Sequence, residues 1–314
     1  MEIRDCGLML EPQQGMSVKE VVDWGVYGER HGYGYIFRSD HLMPIHGRPE
    51  QDSAECWVTL GAIAASTNRI KFGPMVSPIG FRNPVLLAQM ACNLHSYSKG
   101  RLLLGVGAGW YKAEYLAKGY EFPALPVRQE QLMEALEIIR PLIDGRRLDF
   151  TGKYYSAHTI CYPHSKNRLH LILGGRSSLV RLAGSRCADE FNLFNGSTDD
   201  FKQLKQQLGE SGRQIVISRA GPFFLARTKS QLQRSIKTKQ TVATALGIPS
   251  SIDELMKHNV LCGDVDQFST QLRELRKAGV DRFYFDLFDP KDKKMVDLLT
   301  QLLNPTPEGL EFRT

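Results

Sequence analysis

The chain has 314 residues, 42% of them hydrophobic and 24% charged, with a formal net charge of +6. This composition is typical of a globular protein, and the length suits one α/β barrel without requiring a second domain. The sequence contains no run of 18 apolar residues and no cluster of basic and aromatic residues, which argues against a membrane-spanning helix and against nucleic acid as a partner.

The cysteines are scattered: none forms a C-x-x-C pair, and no histidine stands at zinc-finger spacing. This scatter argues against a disulfide scaffold and a structural zinc site. We therefore predict no metal site and expect reduced thiols in a cytoplasmic protein. The cysteines are Cys6, Cys56, Cys92, Cys161, Cys187 and Cys262.

Short β-branched runs alternate with longer amphipathic runs along the chain, which is the pattern of βα units around a parallel sheet. Eight runs fit strands, so we predict that residues 1–314 form a single (β/α)8 TIM barrel. The predicted strands lie at Asp5–Leu10, Tyr35–Arg38, Ile70–Val76, Arg101–Val106, Leu169–Leu173, Glu190–Phe194, Ile215–Arg219 and Arg282–Leu287.

Amphipathic helical segments separate these strands. Ser17 and Asn83 precede two of the segments as candidate N-caps. Two stretches, about 146–168 and 236–262, are longer than a minimal barrel needs, and we predict that they are ordered insertions that act as lids. The predicted helices are Ser17–His31, Glu55–Thr67, Pro84–Tyr97, Gln129–Ile143, Phe201–Leu208 and Phe268–Ala278.

The tripeptide Ser39–Asp40–His41 directly follows the second predicted strand. Residues just past the carboxyl end of a barrel strand line the active-site mouth. A carboxylate beside an imidazole can bind polar ring edges there and move a proton near neutral pH. Taken alone, the tripeptide fits a loop histidine with a structural hydrogen bond better than a catalytic pair.

The third predicted strand ends in the run Phe72–Pro78, which reads FGPMVSP. Its prolines lock the backbone, so the run indicates either a stiff turn into the next helix or a strained backbone pressed against a flat ligand. Both interpretations stay open on the residues alone.

Two glycine-rich segments also follow strands: Gly105–Trp110 and Gly174–Ser178. Glycines let the backbone approach a ligand and expose N–H donors to a phosphate, although the second segment equally fits a capped turn. A Rossmann fingerprint is disfavoured, because the first segment lies at the fourth strand and no later strand carries the required acid. All four segments lie at strand carboxyl ends, and this convergence favours one binding site.

The sequence resembles the luciferase-like monooxygenase superfamily, and more narrowly the branch that uses coenzyme F420. The resemblance spans residues 8–288 and depends on the runs SDHL, ECWVTLGAIAASTNRIKFGPMVSPIGFRNPVLLAQMA, GRLLLGVGAGWYKAEY and LHLILGGRSSLVRLAGSRCADEFN, in the family's order and spacing.

The resemblance implies a role for each segment. Asp40 and His41 match an acidic–histidine pair beside the deazaflavin ring, with His41 near the hydride-accepting carbon. Met75–Val76 matches a non-proline cis peptide whose bulge, next to Ser77, supports the back of the ring. The glycine segments match two loops that hold the cofactor's ribityl and phosphate groups. These loops comprise Gly107, Ala108, Gly109 and Trp110, with Glu114 as a nearby acid, and Gly174, Gly175, Arg176 and Ser177.

The chain departs from the family pattern at one position, and the difference concerns the substrate. F420-dependent sugar-phosphate dehydrogenases carry a catalytic glutamate where Trp110 stands, so the resemblance argues against that activity and keeps the cofactor. It implies an F420-dependent dehydrogenase or reductase acting on a small molecule. The alternatives are an FMN-dependent monooxygenase and a barrel that binds flavin without catalysis. We also predict a homodimer through Glu55–Thr67 and Pro84–Tyr97, which hold apolar residues beyond one core-facing stripe. These include Ala62, Ala65, Ala91 and Cys92.

Overall fold

The computed structural model describes residues 2–45, 50–164, 167–209, 212–238, 251–287, 289 and 292–304. The strands are β1 Cys6–Leu10, β2 Tyr35–Arg38, β3 Lys71–Pro74, β4 Ser77–Pro78, β5 Leu103–Gly107, β6 Leu148–Thr151, β7 Ser156–Thr159, β8 His170–Gly174, β9 Glu190–Phe194, β10 Val216–Leu225, β11 Leu261–Gly263 and β12 Arg282–Leu287. The α-helices are α1 Val18–Arg30, α2 Cys56–Ser66, α3 Pro84–Tyr97, α4 Lys112–Ala117, α5 Leu125–Ile143, α6 Ser178–Cys187, α7 Thr198–Gly209, α8 Lys229–Thr238, α9 Ile252–Lys257, α10 Val265–Lys277 and α11 Lys293–Leu303.

The main sheet is parallel and runs in the order β3-β2-β1-β12-β10-β9-β8-β5-β4. β3 lies within the predicted strand Ile70–Val76, and the short β4 follows just beyond it, after Met75–Val76. β3 pairs with β2, and β4 pairs with β5. A parallel bridge between Phe72 of β3 and Leu102, the residue before β5, joins β3 to the other end of the sheet. The sheet therefore closes on itself, and the predicted (β/α)8 barrel is confirmed.

The interior of the barrel is packed with apolar side chains, while the helices bury a larger apolar layer against its outside. Side chains alternate between these two layers because successive strand residues face opposite sides of the sheet. The carboxyl ends of the strands are left free for polar groups. The interior residues are Met9, Tyr35, Phe37, Met75, Leu103, Ile172, Ala220 and Tyr284.

A buried ion cluster lies at the opposite, amino-terminal end of the barrel. The Glu190 carboxylate bonds to His170 Nε2 at 3.0 Å and accepts from Arg282 Nη1 at 2.5 Å and from Tyr284 Oη at 2.6 Å. Burial opposes the charge, but these donors and the Arg282 charge outweigh it and hold the pKa of Glu190 below its ordinary value. The cluster supplies hydrogen bonds that replace those the Glu190 carboxylate loses to water when the barrel buries it.

Helix boundaries follow local capping, as expected. Ser17 forms a capping box with Glu20 at the start of α1, and Asn83 Oδ1 accepts from the Val85 N–H at 2.9 Å at the start of α3. α5 begins at Leu125, four residues before the predicted start, with a proline in its first turn. In the described part of the chain, no helix is long and apolar enough to cross a membrane.

Both predicted insertions contain regular structure. The first forms an antiparallel hairpin of β6 and β7, with Leu148 and Ala157 buried against the main core. The second includes the end of α8, the whole of α9 and most of β11, and β11 adds to β10 in parallel. Phe224 of β10 packs with Leu232 and Leu255 in a small separate cluster. Residues 239–250 of the second insertion lie outside the described residues.

β10 extends to Leu225 rather than ending at the predicted Arg219. The following Ala-Gly-Pro sequence is typical of a turn, so the sequence pattern predicted an early end. The barrel overrides it because β12 pairs as far as Pro222 and β11 pairs with the last three residues.

Candidate active site

A cavity of about 1260 Å³ opens at the carboxyl ends of the barrel strands. Its wall contains every predicted site residue except Ser77, whose hydroxyl instead bonds to Asp40 from behind. The parallel sheet explains this convergence, because all its strand ends meet at one face. Loops separated by long stretches of chain therefore share one site.

His41 is held by a buried carboxylate. Its Nδ1–H donates to Glu114 Oε2 at 2.8 Å. The other oxygen of Glu114 accepts from the backbone N–H groups of Leu42 and Met43. Burial disfavours the imidazolium, but the hydrogen bond and charge of Glu114 outweigh it, so the pKa of His41 is raised above its ordinary value. The sequence indicated Glu114 only as an acid near a glycine loop, whereas the structure makes it the residue that orients His41.

Asp40 faces different partners from its neighbour. Its carboxylate accepts from Ser77 Oγ at 2.6 Å and from Arg82 Nη1 at 2.6 Å and Nη2 at 3.2 Å. Arg82 also donates to Glu55 at 2.7 Å. Asp40 is therefore paired with a fixed cation beneath the cavity wall. Arg82 follows the third strand, but no pattern in the sequence linked it to Asp40.

The bulge between β3 and β4 contains a cis peptide bond between Met75 and Val76, as predicted. Val76 projects between the two glycine loops. A Cβ on Gly107 would lie 2.7 Å from Val76 Cγ2, and one on Gly174 would lie 3.1 Å from Val76 Cγ1. Glycine therefore suits these two positions, because a larger residue would collide with the bulge at Gly107 and crowd it at Gly174. This packing requirement adds to the predicted contact of the loops with phosphate.

Aromatic rings cover one side of His41. Trp110 is 62% exposed and meets the imidazole edge-on, with ring centroids 5.7 Å apart. Tyr111 meets it in the same way at 6.2 Å. The two aromatic side chains lie 5.2 Å apart and extend the apolar wall. Tyr111 was not predicted, since a single aromatic after a glycine loop carries no distinctive pattern.

Comparison with known proteins identifies the family. The model of the luciferase-like monooxygenase family matches residues 6–282. The chain belongs to this family. It is 28% identical to an F420-dependent glucose-6-phosphate dehydrogenase of Nocardia farcinica, over 93% of this chain and 95% of the relative. It is 32% identical to F420-dependent glucose-6-phosphate dehydrogenase 2 of Rhodococcus jostii, over 93% and 94%.

Solved structures agree on the fold of this luciferase-like chain. An F420-dependent secondary alcohol dehydrogenase, solved with an F420-acetone adduct, superposes with a TM-score of 0.82. The match covers 96% of this chain and 98% of that protein, at 17% sequence identity. At that identity the likeness establishes the shared barrel and not the substrate.

In this luciferase-like barrel, hydrogen bonds join the second glycine loop, after β8, to the loop after β9. Arg176 Nη1 donates to Asp200 at 2.9 Å, and Nη2 donates to the carbonyls of Phe194 and Asn195, both at 2.8 Å. The loop was predicted to bind phosphate, and Ser177 stands at the N-cap of α6. In the structure, the guanidinium of Arg176 joins the loops after β8 and β9, so it sets the shape of this wall.

The sequence patterns did not indicate two acidic residues that lie in the cavity wall. Glu11 follows β1, and Asp286 lies near the end of β12. Each is a single acid after an apolar strand, which is too common a pattern to indicate a site. They become neighbours only because barrel closure places the first strand beside the last.

Proposed function

We propose that this protein is a coenzyme F420-dependent oxidoreductase that transfers a hydride between the deazaflavin and a small organic substrate. The observation that carries the proposal is the cavity in which the Met75–Val76 bulge, two glycine loops and a carboxylate-held histidine meet. The F420-dependent dehydrogenases among the family relatives support the same cofactor.

The residues present fit this cofactor. Gly107 and Gly174 let Val76 pack closely between the two loops, so the bulge and glycine backbone form this part of the cavity wall. Val76 would support the ring from behind, Asp40 would lie at its edge, and backbone N–H groups of both glycine loops would bind phosphate. When bound, the deazaflavin supplies the carbon that accepts or gives the hydride.

His41 would handle the proton that accompanies the hydride. Because Nδ1 is bonded to Glu114, Nε2 is the nitrogen left to exchange a proton with substrate. In the oxidation of an alcohol, Nε2 would accept the hydroxyl proton as the carbonyl forms, while a bound deazaflavin would supply the acceptor for the hydride. In the reverse direction, imidazolium returns that proton. Glu114 stabilises imidazolium in both directions.

The cofactor proposal is tested by titrating F420 and FMN separately into the protein by calorimetry. We expect stoichiometric F420 binding and weaker FMN binding. Gly107→Ala should weaken F420 binding, because the new methyl group meets Val76. Gly61→Ala is the matched control, since a Cβ there meets nothing within 4 Å. Micromolar FMN binding without F420 binding would instead support an FMN-dependent monooxygenase.

We further propose a homodimer formed through α2 and α3. Ala91 and Cys92, which were predicted to face a partner, are instead buried within the chain itself. Val58 on α2 and Leu86 on α3 are 62% and 52% exposed, and they supply apolar surface for a partner. A cytoplasmic location is supported by the cysteines, which are reduced thiols in the structure.

The homodimer is tested by light scattering at micromolar concentration. We expect a mass of two chains for the unmodified protein, and a shift towards one chain for Leu86→Asp because a charge replaces apolar contact. Leu116 is 57% exposed on α4, outside both of these helices, so Leu116→Asp is the control and should leave the mass unchanged. A single-chain mass for the unmodified protein would contradict the proposal.

A further inference from the structure

An exposed tryptophan lies beside the histidine that would handle the proton. Trp110 is 62% exposed, and it lines the cavity at the end of the first glycine loop. Its indole lies edge-on to the His41 imidazole, with ring centroids 5.7 Å apart and ring planes at 85°. A substrate that reaches His41 from the cavity therefore lies beside the indole.

A second aromatic ring supports the indole. The centroid of the half-buried Tyr111 ring lies 5.2 Å from that of Trp110, at an interplanar angle of 32°. The same ring is 6.2 Å from the His41 imidazole. Aromatic rings favour offset-stacked or edge-to-face contacts with other rings. Trp110 and Tyr111 thus form an aromatic surface next to the nitrogen that would exchange a proton with the substrate.

The two acids nearest to His41 are already engaged. One oxygen of Glu114 accepts from His41, and the other accepts from backbone N–H groups. Both oxygens of Asp40 accept from Arg82. A polar substituent placed at the indole would lose hydrogen bonds to water and find these carboxylates occupied, whereas an apolar substituent loses no hydrogen bond. The surroundings of His41 therefore favour an apolar group beside the reacting carbon.

The cavity wall also contains other apolar side chains that water reaches. Leu125 and Phe194 are 52% and 47% exposed, and both line the cavity. Large apolar side chains exposed together in a concave site are typical of a surface that a ligand covers. Lys257 and His258, at the end of α9, line the same cavity. Because these basic side chains could bind a phosphate ester, such an ester is the competing ligand.

We propose that the Trp110 side chain determines specificity by binding an aromatic ring next to the reacting carbon, so that the substrate is an uncharged alcohol or ketone that carries such a ring. The backbone of the glycine loop stays with the cofactor, while the indole at its end contacts the substrate. The hydroxyl or carbonyl oxygen of the substrate then faces Nε2 of His41. This inference rests on the proposed oxidoreductase function, because it names the substrate class of the same site.

Binding is tested by iodide quenching of tryptophan fluorescence in the F420-loaded protein. Trp24 and Trp57 are 7% and 8% exposed, so iodide reaches mainly Trp110. We expect 1-phenylethanol to shield Trp110 and lower the quenching, and glucose 6-phosphate to leave it unchanged. Trp110→Phe should abolish the quenched component, which assigns that component to this residue. Equal quenching with and without 1-phenylethanol, or shielding by glucose 6-phosphate alone, would overturn the proposal.

Specificity is tested by comparing kcat/KM for the F420-dependent oxidation of 1-phenylethanol and of 2-propanol, in which a methyl group replaces the phenyl ring. We expect the unmodified protein to prefer 1-phenylethanol. Trp110→Ala should reduce that preference by about tenfold, roughly the effect of losing one aromatic contact. Trp110→Phe should retain most of it, because an aromatic ring remains. Leu116→Ala is the control and should leave the preference unchanged, since Leu116 is 57% exposed on α4 and lies outside the described cavity wall.

The possible failures are distinguishable. Circular dichroism checks that each variant is folded. A preference for 2-propanol, or an unchanged preference in folded Trp110→Ala, would overturn the substrate inference alone. F420 binding without turnover of either alcohol, or of the matching ketones acetophenone and acetone, would also overturn it. Failure of F420 to bind at all would instead refute the proposed function.

Discussion

Replacing His41 with alanine is expected to lower turnover by about 100- to 10,000-fold, the usual cost of losing a positioned acid or base. The His41 imidazole lies in the cavity wall, and the buried carboxylate of Glu114 holds the ring in one orientation. The affinity for F420 should stay within about tenfold, or roughly 1.4 kcal/mol, because the glycine loops and the bulge are untouched. Steady-state kinetics and calorimetry on the same preparation measure both quantities.

Two further variants separate catalysis from packing. His158→Ala removes an exposed imidazole on β7 and should leave turnover unchanged. Glu114→Gln keeps the shape of the side chain but removes the charge that raises the pKa of His41. That pKa should then fall, and the acidic limb of the pH profile for substrate oxidation should move to lower pH. Near-normal turnover of His41→Ala with the true substrate would show that the imidazole only packs.

The second large effect is expected at the other end of the barrel. Glu190→Ala should reduce the free energy of unfolding by about 3–5 kcal/mol, because it leaves the partly buried Arg282 without its counter-charge. It also removes the acceptor of the buried Tyr284 hydroxyl. Chemical denaturation followed by circular dichroism measures the change. Glu137→Ala, at an exposed position of α5, is the control and should change stability by less than about 0.5 kcal/mol.

The Glu190 effect should also depend on pH in a defined direction. Its pKa is lower in the folded protein than in the unfolded chain, so the folded state binds fewer protons there. The stabilisation is therefore fully present above the unfolded value of about 4.3 and is lost as pH falls through the lowered folded value. The difference between the unmodified protein and Glu190→Ala should shrink on acidification. A difference that stays constant from neutral pH into strong acid would contradict this account.

Most of the barrel could be predicted from the sequence because its strands are local patterns. A short β-branched run bounded by glycine or proline forms a strand wherever a neighbouring strand is available. All the predicted strands are present, and the capping residues Ser17 and Asn83 act as expected. The predictions failed where barrel pairing overrides a local signal, as in the extension of β10 through Pro222.

The position of the site also follows from the sequence. Once the strands are parallel, every residue just past a carboxyl end lies on one face, so Asp40, His41 and the two glycine loops had to converge. The Met75–Val76 bulge and Val76's place between these loops agree with that geometry.

The pairing of polar side chains was decided by the tertiary structure alone. His41 and Glu114 are 73 residues apart, Asp40 and Arg82 are 42 apart, and Glu11 and Asp286 share one cavity wall although they come from opposite ends of the chain. A hydrogen bond or charge pair depends on distances of a few ångströms, whereas a sequence pattern fixes only which way a residue faces along its own strand. Closure of the barrel supplies those distances. It brings the first strand against the last and places Glu114 beside His41 and Arg82 beside Asp40.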